Sequence, residues 1–90
     1  MDTRIIPADE AGIAAAAEAI GRGRPVAVPT ETVYGLAGDA TSGDAVAAIY
    51  TAKGRPSFNP LIVHVDGMAM AETIAIFSPL ARRLADAFWP

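Results

Sequence analysis

Two short apolar runs, each next to proline, constrain the fold of this chain more than any other feature. Pro25 and Pro29 bracket the run Val26–Val28, and Pro60 precedes the run at residues 61–65. Short apolar runs bounded in this way are typical of buried strands. Because a helix-length segment separates them, they predict a βαβ unit with parallel strands and a right-handed crossover. The sequence therefore predicts an α/β fold built on a small parallel sheet.

Four helices are predicted from capping residues and helical periodicity. Asp and Ser side chains accept hydrogen bonds from the first turn of a helix, whereas Gly and Pro end the last turn. We expect helices from Asp9 to Gly21, from Ser42 to Lys53, from Asp66 to Ala75 and from Ser78 to Trp89. The residues expected to form the buried stripe of the last helix are Leu80, Leu84, Ala87 and Phe88. Residues 3–6 are expected to form a further short strand, and residues 30–43 a loop.

The composition excludes several classes of protein. A chain of 90 residues is long enough for one domain at most. Its 52% hydrophobic content and net charge of −3 argue against disorder. No apolar run approaches the ~18 residues of a membrane-spanning helix and no secretory signal is visible, so we expect a cytoplasmic protein without a membrane partner. Without cysteine, neither a disulfide framework nor a thiolate metal site can form.

The hydrophobic content is nevertheless high for so short a chain. A domain of this length buries only about 60–65% of the surface that its unfolded chain exposes. Charged residues make up 19% of the chain, below the usual share of about 25%. The sequence therefore predicts either a thin, Ala-rich core or a chain that is one part of something larger.

The side chains suited to ligand binding are concentrated in two segments. Thr30 and Thr32 follow the first predicted strand, where the ligands of open α/β sheets bind. Lys53, which is the chain's only lysine, and Arg55 are neighbouring cations of the kind that bind polyphosphate or carboxylate. His64 is the only histidine. A structural role is the alternative for each of them, because a lysine at a helix C-terminus compensates the helix dipole and threonines stabilise turns.

Three segments that carry these residues resemble the YrdC-like L-threonylcarbamoyladenylate synthases. They read PTETVYGL at residues 29–36, AKGRP at residues 52–56 and NPLIVHV at residues 59–65, in the family's order and at its spacing. The resemblance implies a YrdC-like twisted open sheet flanked by helices. Because the family's domain continues well beyond its Trp-Pro pair, residues 1–90 are expected to be the N-terminal half of one such domain. The C-terminal half is expected to be absent, and the chain alone is expected to be inactive.

The resemblance also implies an activity. The family's enzymes are nucleotidyltransferases that convert L-threonine, bicarbonate and ATP into L-threonylcarbamoyl-AMP and pyrophosphate, for threonylcarbamoyladenosine modification of tRNA. Mg²⁺ is expected to come with ATP. The expected partners are the machinery that transfers the threonylcarbamoyl group to tRNA, with double-stranded RNA as a further candidate.

Individual residues match the family's functional positions. Thr32 and His64 resemble its L-threonine-binding residues, and Arg55 and Asn59 its ATP-binding residues. Lys53 and Arg55 are the expected catalytic residues, with Lys53 also close to ATP, where its charge would stabilise the triphosphate and the carbamate. No protein ligand to a metal is implied. The residues expected to shape the pocket are Thr30, Glu31 and Tyr34.

Two other functions stay open at this point. The first is an RNA-binding YrdC-like module, which the excess of ten acidic over seven basic residues disfavours. The second is the carbamoyl-adenylating domain of a hydrogenase-maturation carbamoyltransferase. Those proteins carry Cys-rich zinc modules before the YrdC-like part, whereas this chain has no cysteine.

Overall fold

The chain folds into helices and one small sheet, as the predicted α/β class requires. The computed structural model describes residues 3–54, 56 and 60–89, and it divides the chain into two compact units, Met1–Pro60 and Leu61–Pro90. The elements of the first unit are α1 (Glu10–Gly21), β1 (Val26–Val28), β2 (Gly35–Ala37) and α2 (Gly43–Lys53). Those of the second unit are α3 (Met68–Glu72) and α4 (Pro79–Phe88). None of the described helices is long and apolar enough to cross a membrane.

Helix α1 begins and ends where its capping residues predict. Asp9 Oδ1 accepts a hydrogen bond of 2.8 Å from the Gly12 amide and so satisfies a donor of the first turn. At the other end, the Arg22 amide donates to the Glu18 carbonyl at 3.0 Å, and Gly23 follows with a φ of +82°. This left-handed conformation suits glycine because it lacks a Cβ. The local sequence is therefore sufficient to define α1.

The sheet consists of β1 and β2, paired antiparallel. Their register places Val26 opposite Ala37 and Val28 opposite Gly35. The prediction of a loop over residues 30–43 is therefore wrong at residues 35–37. The prediction of a parallel βαβ unit is also wrong, because residues 61–65, its second expected strand, form no strand. Sequence patterns miss β2 because Gly and Ala have low strand propensity. The segment forms a strand because the short connection to β1 brings it beside β1, which provides its backbone hydrogen bonds.

Helix α2 supplies most of the buried surface of the first unit. Ser42 Oγ accepts from the Ala45 amide at 3.2 Å, as an N-cap should, and Gly54 ends the helix in the left-handed region with a φ of 61°. Ala45 and Ile49 are the buried hydrophobic residues of this helix. A Cβ added at Gly38 would lie 3.0 Å from Ile49 Cδ1, so the chain after β2 runs close against α2. The predicted thin, Ala-rich core agrees with this packing.

Two other predicted strands do not form. Residues 3–6 and residues 61–65 are described, and neither segment is paired in a sheet. A strand is stabilised by hydrogen bonds to a neighbouring strand, and no described segment offers them that partner. The apolar side chains of these two segments are therefore not sufficient to make them strands.

In the second unit, α3 is shorter than predicted. It covers five residues, with Gly67 at the N-cap and no side-chain cap hydrogen bond. The prediction that Asp66 caps a helix reaching Ala75 is therefore wrong. Thr73 Oγ1 donates to the Met70 carbonyl at 2.6 Å and closes the last turn. Without an N-terminal cap, and with β-branched residues following, the helix stays short.

Helix α4 has the predicted start and end but not the predicted burial. Ser78 Oγ accepts from the Ala81 amide at 3.1 Å, and Pro79 occupies the first helical position. The residues of its expected buried stripe, Leu80, Leu84, Ala87 and Phe88, are all exposed, at 64% for Leu80, 52% for Leu84 and 80% for Phe88. The helix is amphipathic as predicted, but no described element of the second unit covers its apolar face.

An ion pair joins α4 to α3. Arg82 Nη1 donates to Glu72 Oε1 at 2.6 Å, which lowers the pKa of the Glu72 carboxyl and raises the pKa of the Arg82 guanidinium. Both side chains are largely exposed, so solvent screens the attraction. The pair aligns the two helices more than it stabilises them.

Substitution of two glycines of α1 tests how tightly the N-terminal end of this helix is packed. A methyl group at Gly12, which is buried, would collide with the Pro7 carbonyl oxygen, whereas one at Gly21 would meet nothing within 4 Å. We expect Gly12→Ala to lower the free energy of unfolding by about 1–3 kcal/mol through overpacking. The matched control Gly21→Ala should leave it unchanged or raise it by up to ~1 kcal/mol, because alanine favours the helix.

Urea unfolding followed by circular dichroism distinguishes these variants. Equal midpoints for Gly12→Ala and Gly21→Ala would contradict the close contact between Pro7 and α1.

Candidate functional site

The connection between β1 and β2, residues 29–34, is the hairpin loop, and the Thr30 side chain organises it. Thr30 Oγ1 accepts hydrogen bonds from the backbone amides of Thr32, at 3.3 Å, and Val33, at 3.2 Å. The same hydroxyl donates to the Val33 carbonyl oxygen. Hydroxyl side chains commonly stabilise turns in this way. The hairpin loop therefore has a defined conformation although its side chains face solvent.

The hairpin loop presents polar and apolar side chains together. Glu31 and Thr32 are exposed, and so are Val33, at 72%, and Tyr34, at 75%. Thr32 Oγ1 lies 3.4 Å from Thr30 Oγ1. Exposed hydroxyl, aromatic and aliphatic side chains within one loop suit a small ligand that has both polar and apolar parts.

Lys53 is the last residue of α2. Its side chain is exposed, and Gly54 immediately after it turns the chain by adopting the left-handed conformation. The Gly54 amide donates to the Thr51 carbonyl at 3.3 Å, which fixes the backbone at this end of the helix. The positive charge of Lys53 interacts favourably with the negative end of the helix dipole. The same position leaves the ammonium group accessible to an anionic ligand.

The other predicted site residues fall into two groups. His64 is described and exposed, in the second unit, within a segment that forms no strand. Arg55 and Asn59 lie outside the described residues. Thr32 and Lys53 belong to the first unit. The roles predicted for these five residues therefore stay predictions.

A second turn, just before α2, was not found from the sequence. Asp39 Oδ1 accepts hydrogen bonds from the Thr41 amide, at 2.9 Å, and from Thr41 Oγ1, at 2.6 Å. These bonds, with the hydroxyl bond the larger cause, hold the pKa of the Asp39 carboxyl below its usual value. The order Asp-x-Thr before a helix N-cap is the sequence signal that could have revealed it.

The second unit contains a cavity that the sequence also did not reveal. It has a volume of about 240 Å³. The residues that line it are Val65, Asp66, Gly67, Met68, Ala85, Asp86 and Trp89. Among the described residues, no group of three or more His, Cys, Asp or Glu side chains is arranged to hold a metal ion.

A protein-family model matches most of the chain. It is the model of the Sua5, YciO and YrdC proteins, described as "Telomere recombination", and it matches residues 18–90. All of β1, the hairpin loop, β2 and α2 lie within the matched region. No solved structure matches the chain significantly.

Curated relatives match the chain over much of its length. The threonylcarbamoyl-AMP synthase of Bacillus subtilis is 49% identical over 79 residues, which are 87% of this chain and 23% of the relative. The Pyrococcus abyssi protein of the same name is 47% identical over 83 residues, 91% of this chain and 24% of the relative. The Schizosaccharomyces pombe protein of that name is 68% identical over 41 residues, 46% of this chain and 10% of the relative. The chain thus spans about a quarter of the length of the first two.

The Asp39 turn makes a testable prediction about pH. Thr41→Val removes the hydroxyl donor, so the pKa of Asp39 should rise towards its usual value, whereas Thr41→Ser should keep it low. Because the folded state favours the charged carboxylate, the stability that this turn contributes is present above the unfolded pKa of Asp39. It is lost as the pH falls through the folded pKa.

Carbon-13 NMR titration of the Asp39 carboxyl measures this effect directly. The same titration curve for wild type and Thr41→Val would show that the hydroxyl bond does not set the pKa.

Proposed function

Because the chain belongs to the Sua5/YciO/YrdC family, we propose that it acts in the synthesis of L-threonylcarbamoyl-AMP from L-threonine, bicarbonate and ATP. The single observation that carries the proposal is the family match over residues 18–90, which includes the hairpin loop and α2. The name threonylcarbamoyl-AMP synthase, borne by relatives 47–49% identical to the chain, supports the same activity. It favours this proposal over an RNA-binding module and over a hydrogenase-maturation domain. The proposed role is one step of tRNA modification in the cytoplasm.

The proposed reaction has two bond-forming steps. The amine of L-threonine attacks the carbon of carbon dioxide, released from bicarbonate with loss of hydroxide, and forms a carbamate after losing a proton. A carbamate oxygen then attacks the α-phosphorus of ATP, and the bond from that phosphorus to the bridging oxygen breaks to release pyrophosphate. The first step depends on holding the amine close to carbon dioxide, and the second on holding two anions, the carbamate and ATP, close together. Both steps are favoured by groups that stabilise the negative charge developing in the transition state.

Lys53 fits the electrostatic part of this reaction. Its ammonium group is exposed at the C-terminal end of α2, and the backbone that carries it is fixed by the hydrogen bonds of Gly54. A compact positive charge of this kind stabilises phosphate and carbamate oxygens. In the proposal Lys53 and Arg55 are the catalytic cations, and both of them bind ATP together with Asn59.

Thr32 and His64 fit the recognition of L-threonine. A hydroxyl both donates and accepts hydrogen bonds, and a neutral imidazole does the same through its two nitrogens. Exposure of both side chains leaves these groups accessible. In the proposal they bind the amino acid, and the exposed Tyr34 and Val33 offer apolar surface to its methyl group.

The proposal assigns Mg²⁺ to the nucleotide. The ion would accompany ATP as a counter-charge to its phosphates. What the chain's own residues contribute is the binding and orientation of the three substrates.

We further propose that residues 1–90 are the N-terminal portion of one YrdC-like domain. The exposed side chains of α4, namely Leu80, Leu84 and Phe88, support this proposal, because a self-contained unit of this size would bury such residues. The fraction of each relative that the chain spans, about a quarter, is consistent with it.

Removing the positive charge of Lys53 tests the proposed activity. We expect Lys53→Ala to weaken ATP binding by this chain about tenfold, the usual cost of a charge-assisted hydrogen bond. In the complete enzyme, pyrophosphate release that depends on L-threonine should fall about 10²–10³-fold. Calorimetric titration with ATP and an enzymatic pyrophosphate assay provide the two measurements.

Arg22→Ala is the matched control for charge. Arg22, the exposed residue that follows α1, has a side chain that pairs only with Glu18, at 2.5 Å, among the contacts described for it, so its loss should change neither quantity. Equal loss of ATP affinity in both variants would mean that net charge, and not Lys53, controls binding.

The exposed face of α4 makes the proposal about domain extent testable. This chain should increase the fluorescence of an apolar dye such as anilinonaphthalene sulfonate, and Leu84→Gln with Phe88→Gln should reduce the signal several-fold. Arg83→Gln, another exposed position on the same helix, is the control and should leave it unchanged. A folded chain that binds no dye would contradict the exposure on which the proposal rests.

A further inference from the structure

We infer that Thr30 is a positioning residue that holds the Thr32 hydroxyl ready for L-threonine. The inference rests on the proposed function, in which Thr32 binds the amino acid. Its own basis is the hydrogen bonding of the hairpin loop, where one side chain contacts the backbone of the residue that carries the ligand-binding group.

The hydrogen-bonding capacity of Thr30 is fully used by the backbone. A hydroxyl has one proton to donate and two lone pairs that accept. In Thr30 the proton is directed to the Val33 carbonyl oxygen, and the lone pairs accept from the amides of Thr32 and Val33. Thr30 therefore has no capacity left for a strong bond to the Thr32 side chain.

The Thr32 hydroxyl consequently keeps its own capacity for a ligand. Its oxygen is 3.4 Å from Thr30 Oγ1, longer than the 2.5–3.0 Å typical of bonds between hydroxyls. The Thr32 side chain is exposed, so a ligand can reach it. Because the Thr30 proton is directed to the Val33 carbonyl oxygen, this long contact can use only the Thr32 proton. Both lone pairs of the Thr32 hydroxyl remain available to the ammonium or hydroxyl group of an amino acid.

Anchoring the Thr32 amide also fixes the direction of the Thr32 side chain. Threonine is β-branched, so its χ1 angle has few alternatives once the backbone is set. A loop that is ordered before binding does not lose that freedom when the ligand arrives, which raises affinity. Thr30 thus acts on the ligand through Thr32.

The methyl group of Thr30 lies near the first residue of β2. A Cβ added at Gly35 would be 3.7 Å from Thr30 Cγ2. Two substitutions separate the effect of the hydroxyl from that of the methyl group. Thr30→Val keeps the shape and loses the hydroxyl, whereas Thr30→Ser keeps the hydroxyl and loses the methyl group.

Calorimetric titration of the 90-residue chain with L-threonine tests this role. We expect Thr30→Val to weaken L-threonine binding about tenfold through the lost backbone hydrogen bonds, while ATP binding changes less than about twofold. Thr30→Ser should restore L-threonine binding to within about threefold of wild type. Rescue by serine, together with the difference between the two ligands, is a result that general destabilisation would not produce. Faster hydrogen exchange of the Thr32 amide in Thr30→Val is the expected structural counterpart.

Each outcome has one interpretation. Wild-type affinity for L-threonine in Thr30→Val, with wild type itself binding, would overturn the positioning role and leave the proposed function intact. No L-threonine binding by the wild-type chain would overturn the assignment of Thr32 and His64 as its L-threonine site, and the positioning role with it. If Thr30→Val does not fold, Thr30→Ala replaces it as the variant without a hydroxyl.

Discussion

The antiparallel pairing of β1 with β2 is the constraint on which the first unit depends. Pairing Val28 with Gly35 fixes the length of the hairpin loop and therefore the positions at which Thr30 and Thr32 can lie. The same pairing directs the chain after Ala37 against α2, where Gly38 fits closely beside Ile49. One end of the hairpin therefore holds the candidate ligand-binding loop, and the chain that leaves its other end packs against the buried side of α2. A change of register would move both.

The sequence predicts α1, α2 and α4 well because their signals are local. Asp9, Ser42 and Ser78 each accept a hydrogen bond from an amide three residues along the chain, so a short stretch of sequence contains all that is needed. The strands are different, because a strand exists only with its partner. The apolar segment at residues 61–65 has no described partner, while Gly35 to Ala37, with little β propensity, has one.

The candidate site, like the strands, could be predicted only in part, because it depends on more than local sequence. Its residue types follow from the resemblance of three segments to a known family, and the chain's membership of that family is established. The hydrogen bonds of Thr30 and the Asp39 turn could not be predicted in detail, because each depends on a particular backbone conformation. The ligand-binding roles of Arg55, Asn59 and His64 stay predictions, because such binding depends on interactions that no sequence pattern contains.

The division into two units has a spectroscopic consequence. Both tyrosines, Tyr34 and Tyr50, lie in the first unit, whereas the single tryptophan, Trp89, lies in the second. Excitation at 295 nm, where tyrosine absorbs very little, therefore reports on the second unit alone. Tyrosine absorbance and emission report on the first. Each unit has its own chromophore, so the melting of each unit and its response to a ligand can be followed in one natural, unlabelled sample.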